Sequence, residues 1–273
     1  MDGVTSADWT PEDVDLQRPN AARVYDYYLG GSHNFAVDRE MARKAIKLWP
    51  DVPMIVRANR AFLARAVRYL VRQGVRQFLD LGSGIPTVGS VHEIAQAEAP
   101  DARVVYVDND PVAVAHSRMI LDDNEGTAVV QADLRHPHAI LANPDVRAVV
   151  ELDEPIAVLM IAVLHFVPDG DDPAGIVAGY RAAVAPGSYV AVSHATQDGQ
   201  PELADEHRAL YARTATPMSM RSHAEVARLL TGWELVEPGL VRLPLWRPDP
   251  GDELPEDPVT FAGYAAVGHS LAR

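Results

Sequence analysis

Gln77-Phe-Leu-Asp-Leu-Gly-Ser-Gly84 is the stretch on which the fold turns. Its first five residues have the length and apolar content of a buried strand. The two glycines that follow carry no Cβ, so the chain can turn tightly and bring its backbone close to a ligand. Outward from this turn, strand-like runs recur at 103–107, 128–132, 155–163 and 188–193. Helical patterns separate them. Pro86 suits the first turn of a helix ending near Glu98, Asp110 and Pro111 suit the cap and first turn of a helix over 111–122, and a further helix is predicted over 172–184. Such alternation predicts an α/β fold with a doubly wound, mostly parallel sheet. Two more strands, near 233–238 and 261–268, flank a proline-rich stretch and bring the expected count to seven, with antiparallel pairing at one edge.

Upstream of Val75 the pattern is helical only. A short helix over 20–29 is stopped by Gly30-Gly31, and Asp38 reads as the N-cap of a helix through Leu48. A longer helix over 54–73 sets Ile55, Ala58, Phe62, Ala66 and Leu70 on one stripe. The first seventeen residues read as a loose acidic arm. The expected organisation is a helical cap or lid over 1–74 and an α/β ligand-binding domain over 75–273.

Composition narrows the partners. With 38 Asp and Glu against 24 Lys and Arg, the net charge of −14 disfavours a phosphate backbone as substrate. The Arg-rich helix over 57–76 reads as a solvated face. No apolar run reaches membrane-spanning length, the opening residues are polar and acidic, and there is no cysteine. A soluble, cytoplasmic protein without thiolate chemistry is expected, and no histidine pair has the spacing of a metal site.

Three carboxylates end successive strands: Asp80, Asp108 and Asp133. In an open parallel sheet, ligands bind at the carboxyl ends of the strands. An acid roughly twenty residues beyond a glycine turn is placed to accept from both ribose hydroxyls of a nucleoside, and Asp108 fits. A dinucleotide site would want a third glycine where Thr87 stands, and Pro86 removes a backbone donor from the helix start. Asp80 would repel a diphosphate and suit a cation. S-adenosylmethionine, with its sulfonium and ammonium charges, answers that description better than NAD.

Phe78-Leu-Asp-Leu-Gly-Ser-Gly-Ile-Pro-Thr87, Tyr106-Val-Asp-Asn-Asp-Pro111 and Gln131-Ala-Asp-Leu-Arg135 resemble the first three motifs of class I methyltransferases. The opening Arg18-Pro-Asn-Ala-Ala-Arg-Val-Tyr-Asp-Tyr-Tyr-Leu-Gly-Gly-Ser-His-Asn-Phe35 is similar to one actinobacterial family of S-adenosylmethionine-dependent methyltransferases. The resemblance implies a Rossmann-like class I methyltransferase fold with S-adenosylmethionine as cofactor. By position, Gly82, Ser83 and Gly84 would line the methionine portion and Asp80 would reach its ammonium. Asp108 would hold the ribose and Asn109 the adenine. Asp133 would accept from the adenine amino group, Leu134 would supply a backbone donor, and Ala162 would border the sulfonium.

The tyrosine-rich opening has two readings. Its tyrosines pack on the sheet edge, or the segment is a lid in which Tyr25, Tyr28, His33 and Asn34 close over the cofactor and Arg23 meets its carboxylate. His165, just after the fourth strand, is the candidate general base, with a structural role as its alternative, and His194 is the second candidate. The expected acceptor is a small molecule, methylated on oxygen in preference to nitrogen. A cofactor-binding sensor without turnover and an NAD(P)-dependent oxidoreductase are the competing readings.

Overall fold

The computed structural model describes residues 15, 17–86, 89–212, 214–252, 254–258 and 261–270. The acidic arm, save Asp15 and Gln17, and the discriminating Thr87 lie outside the described residues.

Five parallel strands, β1 (Gln77–Leu81), β2 (Arg103–Asp108), β3 (Thr127–Gln131), β4 (Ala157–Ile161) and β5 (Tyr189–Ala195), form most of one sheet. The antiparallel β8 (Gly263–His269) pairs along all of β5. On its outer edge β8 carries two short segments, β6 (Glu234–Leu235) and β7 (Val241–Arg242). The order is β3-β2-β1-β4-β5-β8-β6, with β7 off this path, so eight segments fill the seven expected positions. The strand order reverses between β1 and β4, and their carboxyl ends open the crevice in which ligands of such sheets bind.

Alternation along the strands feeds two cores, because successive side chains point to opposite faces. Leu79, Leu81, Val105, Val107 and Val158 pack on one face under α8 (Pro173–Ala183) and α10 (His223–Leu229). Phe78, Val104, Tyr106 and Leu159 pack on the other. That second face is covered by α3 (Val52–Arg72), through Phe62, Leu63, Ala66 and Leu70, and by α4 (Val91–Glu98). The Arg65 guanidinium donates to the carbonyls of Leu243 and Trp246 at 3.0 and 2.9 Å, tying the proline-rich stretch to α3. A boundary at residue 74 therefore cuts through the core of the sheet. α1 (Ala21–Tyr28) and α2 (Ala36–Leu48) pack in a third cluster with α9 (Pro201–Tyr211) and with Val52 and Val56 of α3.

Several local expectations are corrected. Asp38 is not the N-cap of α2 but sits inside its first turn, accepting from the backbone N–H groups of Phe35 and Asn20 at 2.9 and 3.0 Å. Pro86 does not open α4, which starts at Val91 with Ser90 as cap and Glu93 accepting from the Ser90 N–H. The fourth strand stops at Ile161, because Ala162 adopts a left-handed φ of 53°. Asp110 does cap its helix, accepting from the Val112 N–H. The pattern does not predict α7 (Pro144–Val149) or α9; α7, like α6 (Pro137–Leu141), is too short to show a helical period.

Phe62 is fully buried and meets Trp246 edge-on with ring centroids 5.4 Å apart. Phe62→Ala should cost about 3–5 kcal/mol. In chemical denaturation it should keep one transition; a loss confined to a separate early transition would show that the N-terminal helices unfold on their own.

Candidate functional site

At the reversal point the glycine turn and the loop after β4 meet. The Gly82 and Ser83 N–H groups donate to the Val107 carbonyl, and Gly82 and Gly84 have φ of 68° and 62°. A Cβ on Gly82 would come within 2.2 Å of Val163, so only glycine allows this approach. Asp108 fixes the turn from β2: its carboxylate accepts from the Gly84 N–H at 2.7 Å and from the Asp110 N–H at 2.8 Å. Burial pushes its carboxyl up to about 6 despite these donors.

A cavity of about 320 Å³ opens over these residues. Asp80, Gly82, Ser83, Gly84, Asp108 and Asn109 line it, together with Asp133, Leu134 and Ala162. Asp80 is 6 % exposed, and burial pushes its carboxyl up to about 7. No described residue donates a hydrogen bond to it, and the nearby Arg60 charge offsets only part of the burial. Asp133 reaches the cavity with its carboxylate already paired bidentately to Arg135, which also meets Asp171 at 2.6 Å. The Leu134 carbonyl accepts from Tyr180, and its N–H has no partner among the described residues.

Only part of the tyrosine-rich opening faces this cavity. Tyr25 lines it, its hydroxyl accepting from Asn59 at 2.8 Å. Arg23 does not: its guanidinium is buried 3.4 Å from Asp38 and 3.7 Å from Asp110, which leaves it unable to meet a cofactor carboxylate. Asn34 donates to Asp26 at 2.7 Å and to the Gly31 carbonyl, and the His33 N–H donates to the same carboxylate. The His33 ring packs edge-on against His116. Gly31 belongs to this knot, since a Cβ there would lie 2.0 Å from Asp26. Tyr28 turns away to pair its hydroxyl with that of Tyr211 at 3.2 Å. Arg23, Tyr28, His33 and Asn34 thus do not line this cavity. Arg60 does: it stands on α3 and donates to the Gly89 carbonyl at 2.7 Å. Its sequence setting, one arginine among several on an amphipathic helix, gave no sign of this.

Behind Ala162 lies a second cavity of about 100 Å³. Tyr25, Asn59, Ala162 and Phe166 border both. The Ala162 N–H donates to Ser193 Oγ at 2.8 Å, Ser193 donates to Asn59 at 2.5 Å, and Asn59 continues to Tyr25. This chain links β4, β5, α3 and α1. His165 lines the second cavity, not the first. Its Nδ1 accepts from the Ala195 N–H at 3.3 Å, and burial holds the ring well below its ordinary pKa. A neutral imidazole with Nδ1 so occupied carries its proton on Nε2. His165 therefore offers a donor, not the expected base. His194 is structural: Nδ1 donates to the Ala195 carbonyl and Nε2 accepts from Arg221. Arg221 also donates to the carbonyls of Leu164 and Val167 and to Asp169, which locks the loop after β4.

The sheet order and its crevice define a Rossmann-like class I methyltransferase fold. The chain belongs to the S-adenosyl methyltransferase family, whose model matches residues 7–270, and S-adenosylmethionine is its cofactor. It is similar to a Thermobifida fusca protein taken to be a methyltransferase, at 40% identity over 97% of this chain and 99% of that one, with a TM-score of 0.90. A DUF574-family protein from Streptomyces avermitilis is 40% identical over 94% of this chain and 99% of that one, again with a TM-score of 0.90. Human N-acetylserotonin methyltransferase, solved with S-adenosylmethionine, shares the fold at 14% identity and a TM-score of 0.51, over 93% of this chain and 63% of that one. The curated proteins compared contain no match. The crevice suits the cofactor, because a buried carboxylate without a donor calls for a cation.

Asp80 titrates in a way that exposes this. Its folded pKa of about 7 lies above the ordinary carboxylate value of roughly 3.9, so the protonated form stabilises the apoprotein. That contribution is complete below pH ~4 and is lost as the pH rises toward 7. Asp80→Asn should match the wild type near pH 4 and exceed its apo melting temperature increasingly up to pH 7. The same variant should bind S-adenosylmethionine about tenfold to a hundredfold more weakly at pH 8. Equal affinity in calorimetry would remove Asp80 from the cofactor site.

Proposed function

We propose that this methyltransferase acts on a small-molecule acceptor and methylates oxygen, with the cofactor held in the larger cavity. The observation that carries the cofactor placement is Asp80, buried near Arg60 and without a donor among the described residues. Asp80 takes the ammonium and Arg60 the carboxylate of the methionine portion, the pairing a zwitterion requires. Asp108 keeps lone pairs beyond those given to Gly84 and Asp110, and these accept from the ribose. Asn109 and Leu134 flank the adenine. Asp133, shared with Arg135, sits at the same end.

The bound cofactor supplies an electrophilic methyl group on a sulfonium. The chain's part is to position and to exclude water. Ala162 and Phe166 stand between the two cavities and would hold an acceptor in the smaller one next to the cofactor. The acceptor oxygen would take the methyl group, the cofactor leaving as the neutral thioether, and the hydroxyl proton would pass to water. α1 forms one wall of the crevice through Ala21, Ala22, Tyr25 and Asp26, and buried contacts of Arg23 and Asp26 anchor it.

Asp108→Ala removes both the ribose acceptor and the clasp on Gly84. Its affinity for S-adenosylmethionine should fall about a hundredfold or more, from two charge-assisted hydrogen bonds of roughly 1.5–3 kcal/mol each. Calorimetry that finds wild-type affinity would end the ribose assignment. Methyl-labelled cofactor incubated with fractionated small molecules and, separately, with protein and nucleic acid should label the small-molecule fraction; label confined to a polymer would overturn the acceptor class.

A further inference from the structure

The two cavities that meet at Ala162 differ in chemistry. The larger has Asp26, Arg60, Asp80, Asp108, Asp133 and Arg135 in its walls. The smaller has no Asp, Glu, Lys or Arg among its described lining residues. Its walls are rings and thioethers. His207 stacks on Tyr211 with centroids 5.0 Å apart, Trp49 meets His207 edge-on at 5.7 Å, Phe166 lies 6.1 Å from Tyr211, and Met218 and Met220 complete the surround. Spaced rings with methionine fillers suit a flat apolar guest.

Most polar groups in this wall are already paired, but several lack partners among the described residues. His165 Nε2 has none among the described residues, its Nδ1 being committed to Ala195. Both ring nitrogens of His207 and the Trp49 indole nitrogen are buried and unpartnered among the described residues, although His207 is only 5 % and Trp49 2 % exposed. Buried donors and acceptors are normally satisfied, and leaving one unmade is costly. Burial also holds the His207 ring down to about 4, so it is neutral at physiological pH.

We infer that the smaller cavity is the acceptor subsite and takes an uncharged, hydroxylated ring compound of phenol size, whose oxygen is held by His165 Nε2–H. This rests on the methyltransferase reading above and adds the substrate's charge and shape. A carboxylate or ammonium on the ring would find no counter-ion in the wall and would lose its hydration without return. A hydroxyl is matched, because its oxygen accepts from His165 Nε2–H. His165 is a positioning residue here.

The test uses the full chain loaded with S-adenosylhomocysteine, whose own binding is measured first. Failure at that stage counts against the cofactor placement alone. On the loaded protein, 4-methylphenol should raise the melting temperature and bind in calorimetry, while benzoate and benzylammonium should bind at least tenfold more weakly. His165→Phe should weaken 4-methylphenol about tenfold and leave S-adenosylhomocysteine affinity unchanged, and His165→Gln, which keeps a donor, should recover most of the loss. Benzoate or benzylammonium binding as tightly as 4-methylphenol would overturn the inference. So would a His165→Phe variant that binds the phenol as well as the wild type does.

Discussion

The Asp108 carboxylate is the clasp of the site. It accepts from Gly84 on the first crossover and from Asp110 at the head of the helix after β2, α5 (Pro111–Leu121). Two connections that leave neighbouring strands are thereby held at one point. The glycine turn in turn abuts Val163, so the position of the loop after β4 depends on how tightly that clasp closes. Burial raises the pKa of the same group, and the backbone donors keep it usable as an acceptor. The shape of the glycine turn and the setting of the loop after β4 follow from this one side chain.

How much of this was legible beforehand depended on range. Strands β1, β2, β4 and β5 declare themselves because they are buried on both faces and bounded by glycine, proline and acidic residues, while β3 is a half-buried edge. Asp80, Asp108 and Asp133 fall at strand ends, where topology alone brings them together. What could not be read was pairing between distant segments. Arg23 answers to Asp38 and Asp110, and Asn34 to Asp26, so a motif that looked like a lid is largely an internal brace. Arg60 was hidden for the opposite reason: a helical pattern tells which residues are polar, not which one overlooks the crevice. β7 is two residues long and exists only because β8 offers an edge.

Helix α3 sits at the centre of this arrangement. It covers one face of the sheet with Phe62 and Leu63, holds the proline-rich stretch through Arg65, and sends Asn59 and Arg60 toward the cavities. Structural and ligand-facing roles alternate along a single element. The placement of Arg60 against Asp80 is thus inherited from core packing, where side chains have little freedom to drift. α1 is stitched to the same helix by Tyr25 and Asn59, so the roof of the crevice moves only if α3 does.

Ala162 stands in a left-handed conformation that a side-chain-bearing residue adopts at some cost, and Ser193 fastens its N–H there. Ala162, with Tyr25, Asn59 and Phe166, therefore forms the partition between a charged chamber and an uncharged one. Such a threshold keeps two incompatible solvation environments side by side, so reactants of opposite character can touch without either being forced into the other's surroundings.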